Sequence, residues 1–468
     1  LNLKNPTIDR PFGLLAFAVM TVLLILGIYF MQARMLMLDA PFMLSNFINE
    51  GHPMIMEHRY GSIITQIWPW LGSKFGLPLP QLMHIYNASF NVFYLAVCGL
   101  LVFRLRQYAL AILMALYYTL MVSDAFYWTN NEIHQAIGWM FLWLGIYSFQ
   151  YKNKSSFNAR LLCFIIFGFL AAFTHPLMVL VMAFVWSYEV IEKKLFTKDR
   201  KQTVILSSIV LAAIMTRVLL SIYGGWYDVN KISTIGESGM NNLFGFLNKP
   251  LFAELLHLYY SKYLMASLLF LASGVLLIYE KKYLLFLSMA GFFIVYNVLF
   301  LIAFDEFIPF YSESELMPLT VICALPFVFM IGKYLKSSYL ITLFSILFLV
   351  RIVFIINAGS IYNARIDATM EQLNYMKANG ITKLIIEETP ELKATYIMTW
   401  GLPVESLFAS ILSDDPMQRT FKVVPATEFS SYDSIPDNIW LNCFKMVPVT
   451  EMNSDYFAVD SISDYVRK

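Results

Sequence analysis

The feature that most constrains this chain is the recurrence of long apolar runs, at 11–31, 82–103, 108–122, 136–149, 161–173, 177–190, 204–223, 256–279, 283–304, 317–332 and 339–358. An α-helix rises about 1.5 Å per residue and the hydrocarbon core of a bilayer is about 30 Å thick, so roughly 20 apolar residues cross it once. The first run has that length, follows Lys4 and Arg10, and lacks a small-residue cleavage pattern, so it reads as a retained signal anchor. Counted this way the chain makes eleven spans, an all-α polytopic membrane protein. A mean hydropathy of +0.62 with 14% charged residues is far from the composition of a soluble domain. The formal net charge of +1 gives no reason to expect nucleic acid as a partner.

The eleven-span count depends on Thr174-His175-Pro176, which interrupts an apolar stretch over 161–190. Proline removes a backbone donor and disfavours helix in the residue before it, so two short helices in a hairpin are expected here. Charge agrees. With the hairpin, the connections carrying Arg104/Arg106, Lys152/Lys154/Arg160, Lys193/Lys194/Lys198/Arg200/Lys201, Lys281/Lys282 and Lys333/Lys336 all fall on the side of Lys4 and Arg10. The positive-inside rule then puts the N-terminus in the cytoplasm and everything after residue 358 outside. The outer loops and tail hold no Asn-x-Ser/Thr sequon, which favours a bacterial inner membrane.

Composition changes at residue 359. ATMEQLNYMKANG reads as helix closed by Gly380, ITKLIIEE as strand, ESLFASIL as helix, and FKVV and IWLNCFKM as strands. The expectation is a transmembrane domain over 1–358 and a small extracytoplasmic α/β domain over 359–468, without an evident catalytic constellation and suited to binding an acceptor or a membrane-protein partner.

Polar chemistry is concentrated in the first outer loop, 32–81, which carries Asp39, Glu50, His52, Glu57, His58 and Arg59. Tyr60, Ile63, Ile64, Ile67, Trp68 and Leu71 recur at spacings of three and four, the pattern of an amphipathic helix lying at the membrane surface. The second outer loop, SDAFYWTNNEIHQ, adds Asp124, Glu132 and His134. Later outer connections add His175, Asp228, Glu237, His257, Lys262, Glu313 and Glu315. The cytoplasmic connections are short and basic and contain no Walker A or Gly-rich phosphate loop, so nucleotide-driven chemistry is not expected.

This arrangement resembles the GT-C superfamily of polytopic glycosyltransferases, which use polyprenyl-phosphate-linked sugars. The family's loop pattern of Asp-Glu-Ala, a small helix, Gly, an apolar Trp-bearing segment and Phe-Gly is matched by Asp39-Ala40, Gly51, residues 63–71 with Trp68, and Phe75-Gly76. The chain departs from it in lacking a second acid beside Asp39 and a Pro-Pro pair. The resemblance implies Asp39 as base and Glu132 as second acid. It implies a phosphate site drawn from His58, Arg59, His175, Arg217, His257 and Lys262, and a divalent metal held by Asp39, Glu132 and His134. The implied partners are a polyprenyl-phosphate sugar, membrane lipid and an acceptor glycan, lipid or protein.

Structural roles stand beside these. Asp39 suits an N-cap before Ala40-Pro41, and Glu132 suits the first helical turn after an Asn cap. His134 and His175 suit buried hydrogen-bonded roles, and Arg217 and Arg351 suit snorkelling. A GT-C-like scaffold without catalysis is the main alternative function, and a lipid or solute transporter ranks below both.

Overall fold

The computed structural model describes residues 8–225, 228–229, 245–413, 415–432 and 435–468. Lys4, Lys231 and Glu237 lie outside them. The first half comprises α1 (Arg10–Tyr29), α2 (Met31–Met35), α3 (Asp39–Glu50), α4 (Ile63–Lys74), α5 (Leu79–Gly99), α6 (Tyr108–Tyr117), α7 (Glu132–Lys152), α8 (Phe157–Ala172), α9 (Met178–Glu192) and α10 (Leu195–Lys198). There follow α11 (Arg200–Tyr223), α12 (Pro250–Tyr260), α13 (Leu264–Tyr279), α14 (Tyr283–Ala303), α15 (Pro309–Leu316), α16 (Leu319–Met330) and α17 (Ser337–Ala378).

Among the described residues five helices are long and apolar enough to cross a bilayer: α1, α5 with its continuation to Arg104, α11, α14 and α17. The pairs α12–α13, bent by 78°, and α15–α16, bent by 42°, raise the number to seven if each is one broken span. Only 22% of the apolar window of α11 and 28% of that of α14 is buried. Leu211, Met215, Leu219, Leu287 and Ile294 instead point outward, as lipid-facing surfaces do and water-facing surfaces do not. Of the remaining apolar runs, 136–149 lies in the 21-residue α7 and the others form the shorter α6, α8 and α9. α6 is buried at every position from Ala109 to Tyr117, so its hydrophobicity serves protein packing all round.

The break at Thr174-His175-Pro176 is present, with α8 ending at Ala172 and α9 starting at Met178. Phe164 and Trp186, equidistant from His175 in sequence, meet with ring centroids 5.1 Å apart, so the two helices run antiparallel as a hairpin. Both pack on α11, and Trp143 of α7 joins the same aromatic cluster.

The amphipathic loop helix has the polarity a membrane surface requires. α4 buries Thr65 and Gln66 against the protein and exposes Ile63 and Trp68, with Phe75 beyond its end exposed as well.

No break separates the spans from the C-terminal lobe. α17 runs for 42 residues straight through position 358, so the compositional boundary at 358/359 falls inside a continuous helix. It ends as expected at Gly380, which has φ +66°, with the Ile381 N–H donating to the Met376 carbonyl at 2.8 Å and satisfying an orphan helix-end acceptor. Beyond it stand β1 (Lys383–Glu387), α18 (Pro390–Tyr396), α19 (Leu402–Leu412), β2 (Thr420–Val424), β3 (Ile439–Leu441), β4 (Met446–Pro448) and β5 (Val466–Arg467). The parallel sheet has order β2-β1-β5, β3 and β4 form a hairpin, and α19 packs on β2. The lobe lies on the first loop: the Asn453 N–H donates to Asn49 Oδ1 at 2.9 Å and Tyr456 Oη to the Leu77 carbonyl at 3.0 Å.

Candidate functional site

Arg59 lies just before α4, at the end of a turn in which Glu57 and His58 have φ of +49° and +59°. Non-glycine residues in this region cost about 1 kcal/mol or more each, so the turn persists because its surroundings hold it. Arg217, near the end of α11, supplies one tether, with Nη1 donating to the Glu57 carbonyl at 3.0 Å. Its Nη2 reaches Asp228 Oδ2 at 2.9 Å. Arg59 contacts the other oxygen of Asp228 at 3.1 Å and Glu132 at 2.8 Å. The result is a chain of alternating charge, Glu132, Arg59, Asp228, Arg217, in which Arg217 is 1% exposed. Burial lowers the tendency of charges to remain unpaired, so two cations are matched by two carboxylates.

Glu132 reaches Arg59 from the first turn of α7, whose N-cap Asn131 accepts the Ile133 N–H at 3.0 Å. The cap and the ion pair thus coexist.

Arg59, Arg217 and Asp228 line a cavity of about 350 Å³. His175 and Glu315 also line the cavity, with Leu180, Val218, Leu299, Phe300 and Phe304 among its apolar walls. His175 Nδ1 accepts the Leu177 N–H at 3.3 Å. Charged side chains beside an apolar lining suit an amphiphilic ligand.

Three of the six expected phosphate-site cations, Arg59, His175 and Arg217, therefore converge. The others do not. His58 turns its ring to Tyr60 Oη at 3.1 Å and the Gly224 carbonyl at 3.3 Å, and His257 is exposed and pairs with Tyr260 Oη at 2.6 Å. Lys262 is drawn away by Asp124 at 2.6 Å and Glu313 at 3.2 Å. Glu313 is fully buried and its carboxylate also accepts the Ser123 and Ala125 backbone N–H groups, so this cluster braces the second loop. Arg351 does not snorkel: it is 1% exposed and donates to the carbonyls of Thr119, Val122 and Lys262.

Asp39 is the first residue of α3, and the N-cap position expected for it is held by Leu38. Its carboxylate accepts Trp128 Nε1–H at 2.5 Å, which joins the first loop to the second. Asp39 is not among the residues lining the 350 Å³ cavity. Nor do Asp39, Glu132 and His134 form a metal site. They engage Trp128, Arg59 and the Tyr117 and Ser314 hydroxyls respectively, and no group of three metal-ligating side chains occurs among the described residues.

Asp228 and Glu315 are the residues that sequence reasoning missed as site members. Both appeared only as loop acids, and their one local signal was a carboxylate next to a predominantly apolar helix end. Comparison with protein families, curated proteins and solved structures found no match.

Proposed function

We propose that this chain is a membrane glycosyltransferase of the GT-C type that takes a sugar from a polyprenyl-phosphate carrier. The supporting observation is the convergence of Arg59, Arg217 and His175 on one cavity with charged side chains beside an apolar lining. The carrier's phosphate would take the guanidinium contacts that Asp228 makes, because phosphate and carboxylate present similar bidentate oxygens to arginine. Its first isoprene units would lie along Leu180, Leu299 and Phe300. Neutralising the departing phosphate in a partly dehydrated site is the largest catalytic contribution such a reaction needs, and fixed arginines supply it without reorganisation. A base must remove the acceptor proton. Glu315 lines the cavity and Asp39 does not, so in this reading Glu315 competes with Asp39 for that role. The path has eleven crossings, with α6 to α9 completing the count, in a bacterial inner membrane with the C-terminal lobe outside.

The experiment is transfer from radiolabelled polyprenyl-phosphate sugar by purified protein, run beside photo-crosslinking to a polyprenyl phosphate. Arg217→Gln should abolish both, and Glu315→Gln should abolish transfer with crosslinking retained. Absence of crosslinking to the intact protein would remove the reading. The position of Asp39 favours one rival, a GT-C-like scaffold: crosslinking without transfer under any condition would establish it.

A further inference from the structure

Arg34 lies in the short helix α2, just past the end of the first span, and is 3% exposed. Nη2 donates to Asn91 Oδ1 at 2.9 Å, and the guanidinium carbon sits 4.5 Å from the centre of the Phe126 ring. A methyl group at Gly27 would overlap Nη1, so glycine there is what lets the side chain fold inward. Arg59, Arg217 and Arg365 each meet a carboxylate, but among the described residues Arg34 pairs with none.

Its remaining donors, Nε and Nη1, have no hydrogen-bond partner among the described residues. The same holds for Tyr94 Oη and Thr129 Oγ1. Tyr94 is 6% and Thr129 5% exposed, and all three side chains line a single cavity of about 40 Å³. His134 also lines it, but both its ring nitrogens are committed to the Tyr117 and Ser314 hydroxyls. The polar groups of the other wall residues are likewise engaged, the Asn91 amide by Arg34 and the Leu23 carbonyl, Tyr118 Oη by the His134 carbonyl and Trp128 Nε1 by Asp39, and the rest of the wall is apolar. The cavity thus offers one fixed cation and two hydroxyl donors with no anion of the protein's own. A buried guanidinium without a carboxylate costs several kcal/mol, and the unpaired hydroxyls of two more side chains lining the same space add to that.

Room for about three waters is too little for a sugar phosphate and right for one small ion. We propose that the Arg34–Tyr94–Thr129 cavity is a binding site for a monovalent anion of chloride size. Trp128 lines the same cavity and donates its Nε1–H to Asp39, so the anion sits directly behind the side chain that holds this carboxylate.

The test uses purified full-length protein in detergent. Thermal unfolding is followed while potassium chloride or bromide replaces potassium gluconate at constant ionic strength, gluconate being too large to enter. The melting temperature should rise with either halide and saturate. Thr129→Val and Tyr94→Phe should each raise the half-saturating halide concentration about tenfold, as loss of one hydrogen bond predicts. Crystals grown in bromide should show an anomalous peak beside Arg34, a readout that needs no variant to fold. Equal melting in halide and gluconate, a halide effect unchanged by both variants, or bromide peaks only at other positions would overturn the proposal and leave the cavity as a water site.

Discussion

Replacing Arg365 by Met tests how the C-terminal lobe is locked to the first loop. Arg365 of α17 and Glu405 of α19 have side chains 4% and 1% exposed. Nη2 lies 2.7 and 2.6 Å from the two carboxylate oxygens, and Nε adds a contact at 3.2 Å. Nη1 donates to the Met398 carbonyl at 3.0 Å, and Glu405 also accepts the Leu38 backbone N–H at 2.7 Å. Leu38 has φ +49°, so the lobe's carboxylate holds the strained residue immediately before Asp39. Removing the guanidinium leaves a buried carboxylate with one backbone donor, a change that costs about 3–5 kcal/mol. Burial pushes the Glu405 carboxyl up from its ordinary value, and Arg365 pulls it back only in part. Without Arg365 the upward push is opposed by the Leu38 N–H alone. A carboxyl raised in the folded state keeps its proton longer there than in the unfolded chain. Its favourable effect is therefore complete below the unfolded value of about 4.3 and is lost as pH rises through the folded value. The stability of Arg365→Met should consequently fall as pH rises above about 4.3, by at most about 1.4 kcal/mol per pH unit, until the folded value is passed. Adding Glu405→Gln should flatten that slope. Unfolding in mixed micelles, followed by the fluorescence of buried Trp440 in the lobe, measures both. A deficit under about 1 kcal/mol at pH 8, or an equal deficit below about pH 4.3 and at pH 8, would refute the reasoning.

Asp228→Asn should tighten polyprenyl-phosphate binding severalfold while lowering thermal stability, because the carboxylate that competes for Arg59 and Arg217 is gone; quantitative photo-crosslinking reads the first effect and unfolding the second. Trp128→Phe should cost about 1.5–3 kcal/mol through loss of the hydrogen bond to the Asp39 carboxylate, measured by unfolding in micelles. Glu313→Gln should cost about 3–5 kcal/mol by the same assay, since it leaves Lys262 with Asp124 as its remaining carboxylate and weakens the bonds that order the second loop. Topology reporters fused after Lys201 and after Lys468 should lie on opposite sides of the membrane, and a shared side would remove the eleven-crossing path.

What the sequence made legible was local. Pro176 announced the α8–α9 hairpin, Gly380 announced the end of α17, and the β-branched runs around Ile385 and Val423 announced β1 and β2, because each acts through its own backbone or immediate neighbours. Arg59 and Arg217 were also legible, since an arginine at the end of an apolar helix or beside an interfacial one needs an anionic partner. Three things were not. Asp228 gathers both arginines, Glu313 clamps a loop nearly two hundred positions earlier in the chain, and Glu405 fixes Leu38 from the far end of the sequence; such pairings exist only once distant segments have packed. The boundary at 358/359 falls inside a helix for a different reason. Hydropathy reports whether a helix faces lipid or water, while the helix formers Ala364, Ala368, Met370, Glu371 and Gln372 carry α17 onward after the lipid ends.

That continuity has a mechanical consequence. Forty-two residues make a rod of about 63 Å, of which a bilayer takes about 30 Å, so about half of α17 stands clear as a mast carrying the lobe. Spans answer a change in membrane thickness by tilting, and tilting this one by about 10° swings the tip of the mast by about 5 Å. A rod without a hinge moves Arg365, about 12 Å past the bilayer, by about 2 Å in the same tilt, and Arg365 passes that displacement to Glu405 and from there to Leu38. The thickness of the surrounding lipid is thereby felt as leverage on the backbone next to Asp39.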